Sequence, residues 1–203
     1  MSAPRALREG DLAGLVTLLG DDKVVGVPTD TVYGLAARLT EAATQRIFVA
    51  KGRPQALALP VLIGAPEQLA AVAAVFEDEA VALAARFWPG ALTIVVPARP
   101  EIARIVGGDG GGVGVRLPDH APLQALLRAA GPLAVTSANR HGDPPCTTAE
   151  ELRAAFSGAQ VAAVLDGGPC QGLVSTVVDL CGVTPRCLRE GEVDWEEVVD
   201  VLA

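Results

Sequence analysis

Two short polar segments contain the side chains of this chain that are best suited to hold a phosphate. Lys51 and Arg53 stand in the sequence Lys-Gly-Arg-Pro, and Ser137 and Asn139 stand in Thr-Ser-Ala-Asn, after a predicted buried strand. An ammonium binds phosphate oxygens as a point charge, whereas a guanidinium binds them through two parallel hydrogen bonds. A hydroxyl and a carboxamide would add neutral donors to the same anion. The four side chains together predict a nucleotide site.

The two cations have a second interpretation, which the sequence leaves open. Lys51 and Arg53 follow a helical pattern that begins at Thr40, and cations at a helix C-terminus complement the helix dipole. A solvated pair of this kind would contribute little to stability and bind no ligand. However, Lys23 and Lys51 are the only lysines in a chain whose net charge is −8, so a lysine beside an arginine marks a local reversal of charge.

Two other segments place polar groups beside apolar strands. Thr31 follows the apolar run Val24–Val27, in a segment that also contains a carboxylate and a phenol. A turn capped by hydroxyls is the alternative explanation for that segment. Arg116 lies within an apolar strand, where an unpaired guanidinium would be costly. Its partner is therefore expected to be an anion, either an internal carboxylate such as Asp119 or the carboxylate of a ligand.

Strand and helix patterns are interleaved along the chain, but several neighbouring strands have no helix between them. This arrangement favours a layered α/β domain with a mixed sheet over a purely parallel sheet. The polar segments recur where strands stop, which is where open sheets place ligand sites. The predicted strands are 24–27, 59–63, 92–96, 113–117, 133–135, 161–165, 176–180 and 186–189, and helices are predicted from Asp11, Thr40, Pro66, Asp78, Pro122, Thr148 and Asp194.

The glycine tract at residues 107–112 has two interpretations. It lacks the lysine and hydroxyl that follow the glycines of a phosphate loop. A flexible connector before the next strand is expected, and a mobile cover over the site is the alternative.

Length and charge limit the partners of the chain. Its 203 residues suit one domain, residues 1–203. A domain that binds nucleic acid through its overall charge is basic, so a net charge of −8 predicts no strong direct nucleic-acid binding. No apolar run approaches the roughly 20 residues of a membrane span, and residues 1–10 contain no apolar signal segment. A cytoplasmic protein without a membrane partner is expected.

The cysteines do not indicate a metal site. They form no C-x-x-C pair, and the chain has only two histidines, so no metal-ligating set is predicted. Reduced thiols are the favoured interpretation, although disulfides remain open. The four cysteines are Cys146, Cys170, Cys181 and Cys187.

Taken in order, the segments resemble the YrdC/TsaC family of threonylcarbamoyl-AMP synthases. The paired Lys-x-Arg and Ser-x-Asn signatures, in this order, are specific, whereas any single segment is not. The resemblance extends from about residue 10 to residue 192. The matching segments are PTDTVYGLAA at 28–37, AKGRP at 50–54, FWPGALTIV at 87–95, VGVRLPDH at 113–120, GPLAVTSAN at 131–139, STVVDL at 175–180 and the Leu-Arg-Glu-Gly that starts at residue 188.

The resemblance implies both a fold and a reaction. The fold would be an α+β, three-layer α/β sandwich with a twisted mixed β-sheet, helices on both faces and one large open cleft. The reaction would convert L-threonine, bicarbonate and ATP to L-threonylcarbamoyladenylate and pyrophosphate, for N6-threonylcarbamoyladenosine formation in tRNA. Mg2+ is expected on the ATP phosphates, and a downstream tRNA-modifying transferase complex is expected to take the product.

The resemblance also assigns roles to single residues. Those expected to bind ATP are Lys51, Arg53, Ser137, Asn139, Thr147 and Arg189. Those expected to bind L-threonine are Thr31, Arg116 and Ser175. Lys51 and Arg53 are also the expected catalytic residues, because attack on phosphorus requires positioning and charge stabilisation rather than a protein nucleophile. A bidentate Arg116 would hold the carboxylate that does not react.

The chain departs from the family pattern at a few positions. Leu57 and Ala58 stand where the family usually has a polar or basic residue followed by proline, so one nucleotide contact is expected to differ. Cys146 stands where a serine is common and His141 where a small residue is usual. The alternatives to the synthase are a non-catalytic nucleotide- or RNA-binding paralogue of the same fold and a carbamoyl-transfer enzyme that uses carbamoyl phosphate.

Overall fold

The computed structural model describes residues 4–7, 11–157 and 161–203. The expectation for residues 1–10 therefore rests partly on residues outside these ranges. The strands are β1 Arg5–Leu7, β2 Val24–Val27, β3 Gly34–Arg38, β4 Val61–Leu62, β5 Leu92–Pro97, β6 Gly112–Arg116, β7 Leu133–Ser137, β8 Val161–Leu165, β9 Thr176–Asp179 and β10 Arg186–Arg189. The helices are α1 Leu12–Gly20, α2 Glu41–Lys51, α3 Asp78–Phe87, α4 Pro100–Val106, α5 Ala121–Ala130, α6 Ala149–Ala155 and α7 Trp195–Leu202, with a 3-10 helix at Pro66–Ala71.

One mixed sheet contains all ten strands of the described residues, in the order β1-β8-β2-β3-β7-β4-β6-β5-β9-β10. The pairs β1–β8, β8–β2, β4–β6 and β5–β9 are parallel, and the other pairs are antiparallel. The prediction of a mixed rather than purely parallel sheet is therefore confirmed.

Each face of the sheet has its own apolar core. The smaller core joins α1 and α5 to β2, β3, β7 and β8. The larger core lies on the other face and includes buried side chains from α2, α3, α4, α6 and α7. Helices thus cover both faces, which confirms the predicted three-layer α+β arrangement. Among the described residues, no helix is long and apolar enough to cross a bilayer.

The smaller core covers only one half of its face of the sheet, and it includes no described residue of β5, β6, β9 or β10. In β5 and β6, alternate residues such as Ile94 and Val115 belong to the larger core. Because side chains alternate across a sheet, Thr93, Gly114 and Arg116 point to the opposite face, where no helix covers them. Within the described residues this uncovered half of the sheet forms the floor of a cleft.

A strap of residues 166–175, which joins β8 to β9, passes beside this cleft. Seven strand-to-strand steps separate β8 from β9. A flat sheet would place them about 34 Å apart, close to the roughly 36 Å that ten extended residues reach. Because β-sheets are twisted, the two halves of the sheet approach each other and the strap does not have to be fully extended. Three backbone positions of the strap are tied down, because Tyr33 Oη donates to Gly168 O, and Cys170 N and Gly172 N donate to carbonyls of residues 147 and 31.

Several predicted elements are shorter or were missed. The predicted strand at 59–63 contains only Val61–Leu62 as β4, and the predicted helix from Pro66 is a 3-10 helix. The strand Gly34–Arg38 was missed because its small side chains are buried on both faces and show no alternation. The helix Pro100–Val106 was missed because two turns give too short a periodic pattern.

Candidate active site

Six of the nine predicted site residues line one cavity on the open half of the sheet: Thr31, Arg53, Arg116, Ser137, Ser175 and Arg189. The cavity has a volume of about 150 Å3. Such a volume is below that of a typical pocket for a drug-sized ligand, so a nucleotide bound here would extend beyond it. Lys51 and Asn139 lie directly behind Ser137, and Thr147 lies outside the lining.

Arg53 lines the cavity and is held there by two backbone oxygens. The helix α2 ends at Lys51, and its C-cap Gly52, with a φ of 62°, turns the chain between the two cationic residues. Arg53 Nε donates to Leu57 O at 3.1 Å and Nη2 donates to Ala58 O at 3.0 Å. Any residues at positions 57 and 58 could supply these carbonyls, so the departure from the family sequence there leaves this anchor intact. Burial lowers the pKa of Arg53.

The glycine tract supports the same segment. Gly107 has a φ of 76°, and a Cβ added to it would lie 2.7 Å from Gln55 O. Gly108 N donates to that same oxygen. The start of the tract is therefore packed against the loop that anchors Arg53, as an ordered connector; it does not cover the cavity.

Lys51 is buried and organises the turn that contains Ser137 and Asn139. Its ammonium donates to Ser137 O, to Asn139 O at 2.8 Å and to Asn139 Oδ1 at 3.1 Å. An ammonium has three N–H donors, so all of them are used within the protein. The peptide group also contributes, because His141 N donates to Lys51 O.

The polar side chains of this turn are also turned inward. Ser137 Oγ donates to Asn139 Oδ1 at 2.6 Å, and Asn139 Nδ2 donates to the carbonyls of Arg140 and Asp143. In this structure Ser137 can accept a hydrogen bond from a ligand, whereas the amide donors of Asn139 face away from the cavity. Sequence reasoning treated both side chains as donors to an anion; here they shape the turn.

The charge of Lys51 is perturbed by its surroundings. Burial, followed by the nearby Arg53 guanidinium, lowers the pKa of Lys51 to about 8. Its three oxygen acceptors favour the protonated form, so Lys51 is charged at neutral pH. Burial raises the pKa of the neighbouring Cys146 to about 11, which keeps that thiol protonated.

Arg116 is almost fully buried, and its partner is Asp30. Arg116 Nη2 forms a salt bridge with Asp30 Oδ1, Nη1 donates to Thr31 Oγ1 at 3.0 Å, and Nε donates to Gly90 O at 2.9 Å. The expectation of an anionic partner is correct, but the suggested Asp119 is wrong. Asp30 was available to sequence reasoning, since it precedes Thr31 directly. Burial lowers the pKa of Arg116, and Asp30 and Glu192 oppose that effect.

Ser175 connects the amino-acid part of the predicted site to the nucleotide part. Arg189 donates to Ser175 O through Nε and to Ser175 Oγ through Nη2, both at 3.0 Å. Ser175 Oγ also lies 2.9 Å from Thr93 Oγ1. Thr93 and Thr29, which also line the cavity, were not predicted. Thr93 is a lone hydroxyl in an apolar strand, and this was the signal available for it.

Thr147 belongs to a helix cap in this structure. Its backbone N donates to Glu151 Oε2 at 2.7 Å and its hydroxyl to the same atom at 3.1 Å. Glu151 in turn completes the capping box of α6 with Thr148. A nucleotide contact by the Thr147 hydroxyl would have to replace its bond to Glu151.

The site lies across the face of the sheet and not beyond the ends of its strands. Ser137 ends β7 at the edge where β2 also ends, since both strands are antiparallel to β3. Arg116 ends β6 at the opposite edge, because β6 is parallel to β4, which is antiparallel to β7. The predicted polar residues do lie at strand ends, but these ends belong to opposite edges of the sheet. The residues meet because the loop 28–33 and the strap fold over the same face.

This geometry defines a class of protein: an α+β domain with an arginine-lined cleft across the open half of a mixed sheet. The family model named for Sua5, YciO and YrdC, described as Telomere recombination, matches residues 17–191. The chain belongs to this family, which confirms the resemblance derived from its motifs.

Individual relatives agree with this assignment. A Mycobacterium tuberculosis protein provisionally named threonylcarbamoyl-AMP synthase is 41% identical over 194 residues, 93% of this chain and 89% of the relative. The threonylcarbamoyl-AMP synthase of Pyrococcus abyssi is 40% identical over 185 residues, 90% of this chain and 54% of the relative. The crystal structure of P. abyssi Sua5 complexed with L-threonine is similar to this chain with a TM-score of 0.92 and 37% identity, over 99% of this chain and 61% of that one. The chain thus spans most of the M. tuberculosis relative but little more than half of the P. abyssi ones.

Proposed function

We propose that this chain is a threonylcarbamoyl-AMP synthase, which uses L-threonine, bicarbonate and ATP to form L-threonylcarbamoyladenylate and pyrophosphate. The observation that supports this most directly is one cavity that brings together Arg53, Arg116 and Arg189 within an acidic chain. Three guanidiniums suit two anionic substrates that must meet, namely a carboxylate and a polyphosphate. The named activities of the relatives agree with this chemistry.

The proposed roles follow from the position of each side chain. Arg116, fixed by Asp30 and Gly90 O, would bind the threonine carboxylate, and Thr31 and Ser175 would contact the rest of the amino acid. Arg53 and Arg189 would bind ATP phosphates. The carbamate oxygen of N-carboxythreonine attacks the α-phosphorus, and the bond to the oxygen that bridges to the β-phosphate breaks. Positioning and charge stabilisation are sufficient for this step.

Lys51 would act mainly through the turn that it organises. Because its three donors are used by Ser137 and Asn139, it would orient the Ser137 hydroxyl and add a positive charge behind the phosphates. Thr147 would contact the nucleotide only after its hydroxyl leaves Glu151.

Other components of the reaction are proposed on chemical grounds. Mg2+ would arrive with ATP and be held by phosphate oxygens and water, as is usual for this ion in nucleotide sites. Its role would be to offset charge on the leaving pyrophosphate. A cytoplasmic location and a tRNA-modifying transferase complex that accepts the product complete the proposal.

Pyrophosphate release tests this proposal. The protein with ATP, Mg2+ and bicarbonate should release pyrophosphate only when L-threonine is added. Arg53→Ala should reduce the rate at least about a hundredfold, in line with the loss of one charge-stabilising donor, whereas Arg104→Ala, at a solvent-exposed position, should not. If ATP binds but pyrophosphate release does not depend on threonine, the assignment is wrong.

A further inference from the structure

The cavity is positively charged and has no lining carboxylate. Its charged lining residues are Arg53, Arg116 and Arg189, and no aspartate, glutamate or histidine lines it among the described residues. An amino acid in its zwitterionic form would bring an ammonium beside the carboxylate that Arg116 is proposed to hold. A partly buried ammonium requires an anion or several acceptors nearby.

Two carboxylates interact with Arg116 but do not line this cavity. Asp30 and Glu192 line a neighbouring cavity, together with Asp119 and His120. Asp30 Oδ1 is occupied by Arg116 Nη2, and both carboxylates act on Arg116 from that side. Their negative charges stabilise the Arg116 guanidinium, but neither carboxylate lines the cavity in which the amine would lie.

The other titratable groups around the cavity add no negative charge at neutral pH. Tyr33 lines the cavity, and burial raises its pKa to about 12, so its phenol stays neutral. Lys51 lies behind Ser137 and adds a further positive charge. An ammonium placed here would therefore be repelled, whereas a neutral amine or an N-carboxylate would not.

A hydroxyl suited to a neutral amine is present at Thr31. Thr31 Oγ1 accepts from Arg116 and shares a 2.8 Å hydrogen bond with Thr29 Oγ1, in which either oxygen can be the donor. Its remaining hydrogen bond is accepted if it donates to Thr29 and donated if it accepts from Thr29. A neutral amine has both N–H groups and a lone pair and can use either form, whereas an ammonium can only donate.

We propose that this cavity selects its amino acid by charge, taking threonine as the free amine or the N-carboxylate and disfavouring the ammonium form. The inference rests on the proposed function and adds to it the ionisation state of the substrate. Only the free amine has the lone pair that forms the N–C bond to CO2, and the proton released with the carbamate goes to solvent. The charge that binds the product carbamate would thus also favour its formation.

Binding of an isosteric pair of ligands tests the proposal. The first ligand is L-threonine, and the second is the hydroxy acid of the same configuration, in which a hydroxyl replaces the ammonium. Calorimetry in degassed, bicarbonate-free buffer at pH 7 should give a dissociation constant at least about tenfold lower for the hydroxy acid. Below the pKa of the amine, each pH unit raises the free-amine fraction about tenfold, so the ratio of the two constants should approach one by about that factor between pH 6 and pH 7. Lys51, whose pKa is about 8, keeps its charge over this range and does not contribute to the change.

A matched pair of variants tests the cause. At pH 7, Arg189→Gln should reduce the ratio of the threonine dissociation constant to that of the hydroxy acid by at least about threefold, because one positive charge leaves the cavity. Arg104→Gln removes the same charge from an exposed position and should leave this ratio of dissociation constants unchanged. Equal or tighter binding of threonine at pH 7, with a ratio that does not vary with pH, overturns the proposal.

The failure of this inference can be separated from that of the proposed function. Suppose that pyrophosphate release depends on threonine but the ratio of the two dissociation constants does not vary with pH. The synthase assignment would then stand, and charge selection would be overturned. The expected ligand ratio without threonine-dependent pyrophosphate release would retain charge selection and overturn the synthase.

Discussion

At the scale of single residues, the site consists of charged groups whose partners are fixed in advance. Arg116 and Asp30 are both largely buried, with exposed side-chain fractions of 6% and 13%. Lys51 is 3% exposed and has three oxygen acceptors. Such groups are expensive to bury and are retained where their orientation is needed. Arg116 and Lys51 are therefore held in fixed orientations before any ligand binds.

The Arg116–Asp30 pair should be strongly coupled. Removing one partner leaves a buried charge without compensation, so Arg116→Met or Asp30→Asn alone should lower the free energy of unfolding by about 3 kcal/mol or more. The double variant should lose much less than the sum, which gives a coupling energy above about 1.5 kcal/mol. Urea unfolding of the four proteins measures it.

An exposed pair provides the control for this cycle. Arg104 and Glu41 are 2.9 Å apart and have exposed side-chain fractions of 70% and 67%. Their coupling should be about 0.5 kcal/mol or less. Additive losses at Arg116 and Asp30 would show that the buried contact does not stabilise the protein.

Lys51 should matter for stability as well as for turnover. Lys51→Met leaves the carbonyl oxygens of Ser137 and Asn139 without their donor, so the free energy of unfolding should fall by about 2 kcal/mol. The KM for ATP should rise because the turn loses its fixed geometry. Lys23→Met, which replaces an exposed lysine, is the matched control and should change neither quantity. If Lys51→Met has the same free energy of unfolding as the unmodified protein, the Lys51 ammonium does not organise this turn.

The sequence predicted the composition of this site better than its hydrogen bonds. Lys51, Arg53 and Arg116 could be singled out because a charge in an apolar or turn context needs an explanation. The identity of their partners could not, since Asp30 reaches Arg116 only through the folding of the loop 28–33 over the sheet. The inward direction of Asn139 likewise depends on Lys51, which is distant in sequence.

At the scale of elements, the site depends on strands that are uncovered on one face. The pattern of apolar residues predicted β2, β8 and β10 with their correct bounds. It did not predict that α1 and α5 would cover only half of one face, because helix placement depends on the order of strands in the sheet. It also did not indicate the strap, whose ends lie in strands seven positions apart.

Tyr33 connects the strap to β3, and its phenol makes stability depend on pH. Its hydroxyl donates to Gly168 O at 2.8 Å and accepts from Gly167 N at 3.3 Å. Burial raises its pKa from 10.0 to about 12, so the folded state holds the proton more tightly than the unfolded state. The resulting stabilisation is complete below pH 10 and is lost as pH rises to 12, by about 3 kcal/mol.

Comparison with Tyr33→Phe isolates this contribution from the thiols that titrate in the same range. The difference in unfolding free energy between the two proteins should be constant from pH 7 to 9 and shrink between about pH 10 and 12. Urea unfolding at each pH measures it. A difference that stays constant up to pH 12 would mean that the phenol is not held as the structure shows.

At the scale of the whole molecule, charge is divided between the cleft and the rest of the surface. The chain has a net charge of −8, yet the cleft is lined by three guanidiniums and no carboxylate among the described residues. Small anions can enter such a cleft, whereas a long polyanion would also meet the acidic surface around it. Net charge together with the sequence context of Lys51, Arg53 and Arg116 predicted this separation, whereas Arg189 was assigned only by the family resemblance.

Transfer RNA should therefore not bind tightly to the isolated protein. At about 0.15 M salt, fluorescence anisotropy should give a dissociation constant for tRNA weaker than about 100 μM, at the weak limit of non-specific binding. Addition of ATP and threonine should not change this result. A tight affinity that falls steeply with rising salt would contradict it and favour an RNA-binding paralogue.

The strap is the covalent link between the first eight strands and the segment that contains β9, β10 and α7. Cleavage of the chain between residues 169 and 171 would leave every strand pair intact, yet β9, β10 and α7 would become a separate fragment held by contacts alone. That fragment brings Ser175 and Arg189, whereas the larger fragment brings Arg53 and Arg116. Any compound that spans the cleft would bind to both pieces at once, so the reassembly of a split form of this protein would report the presence of its substrates.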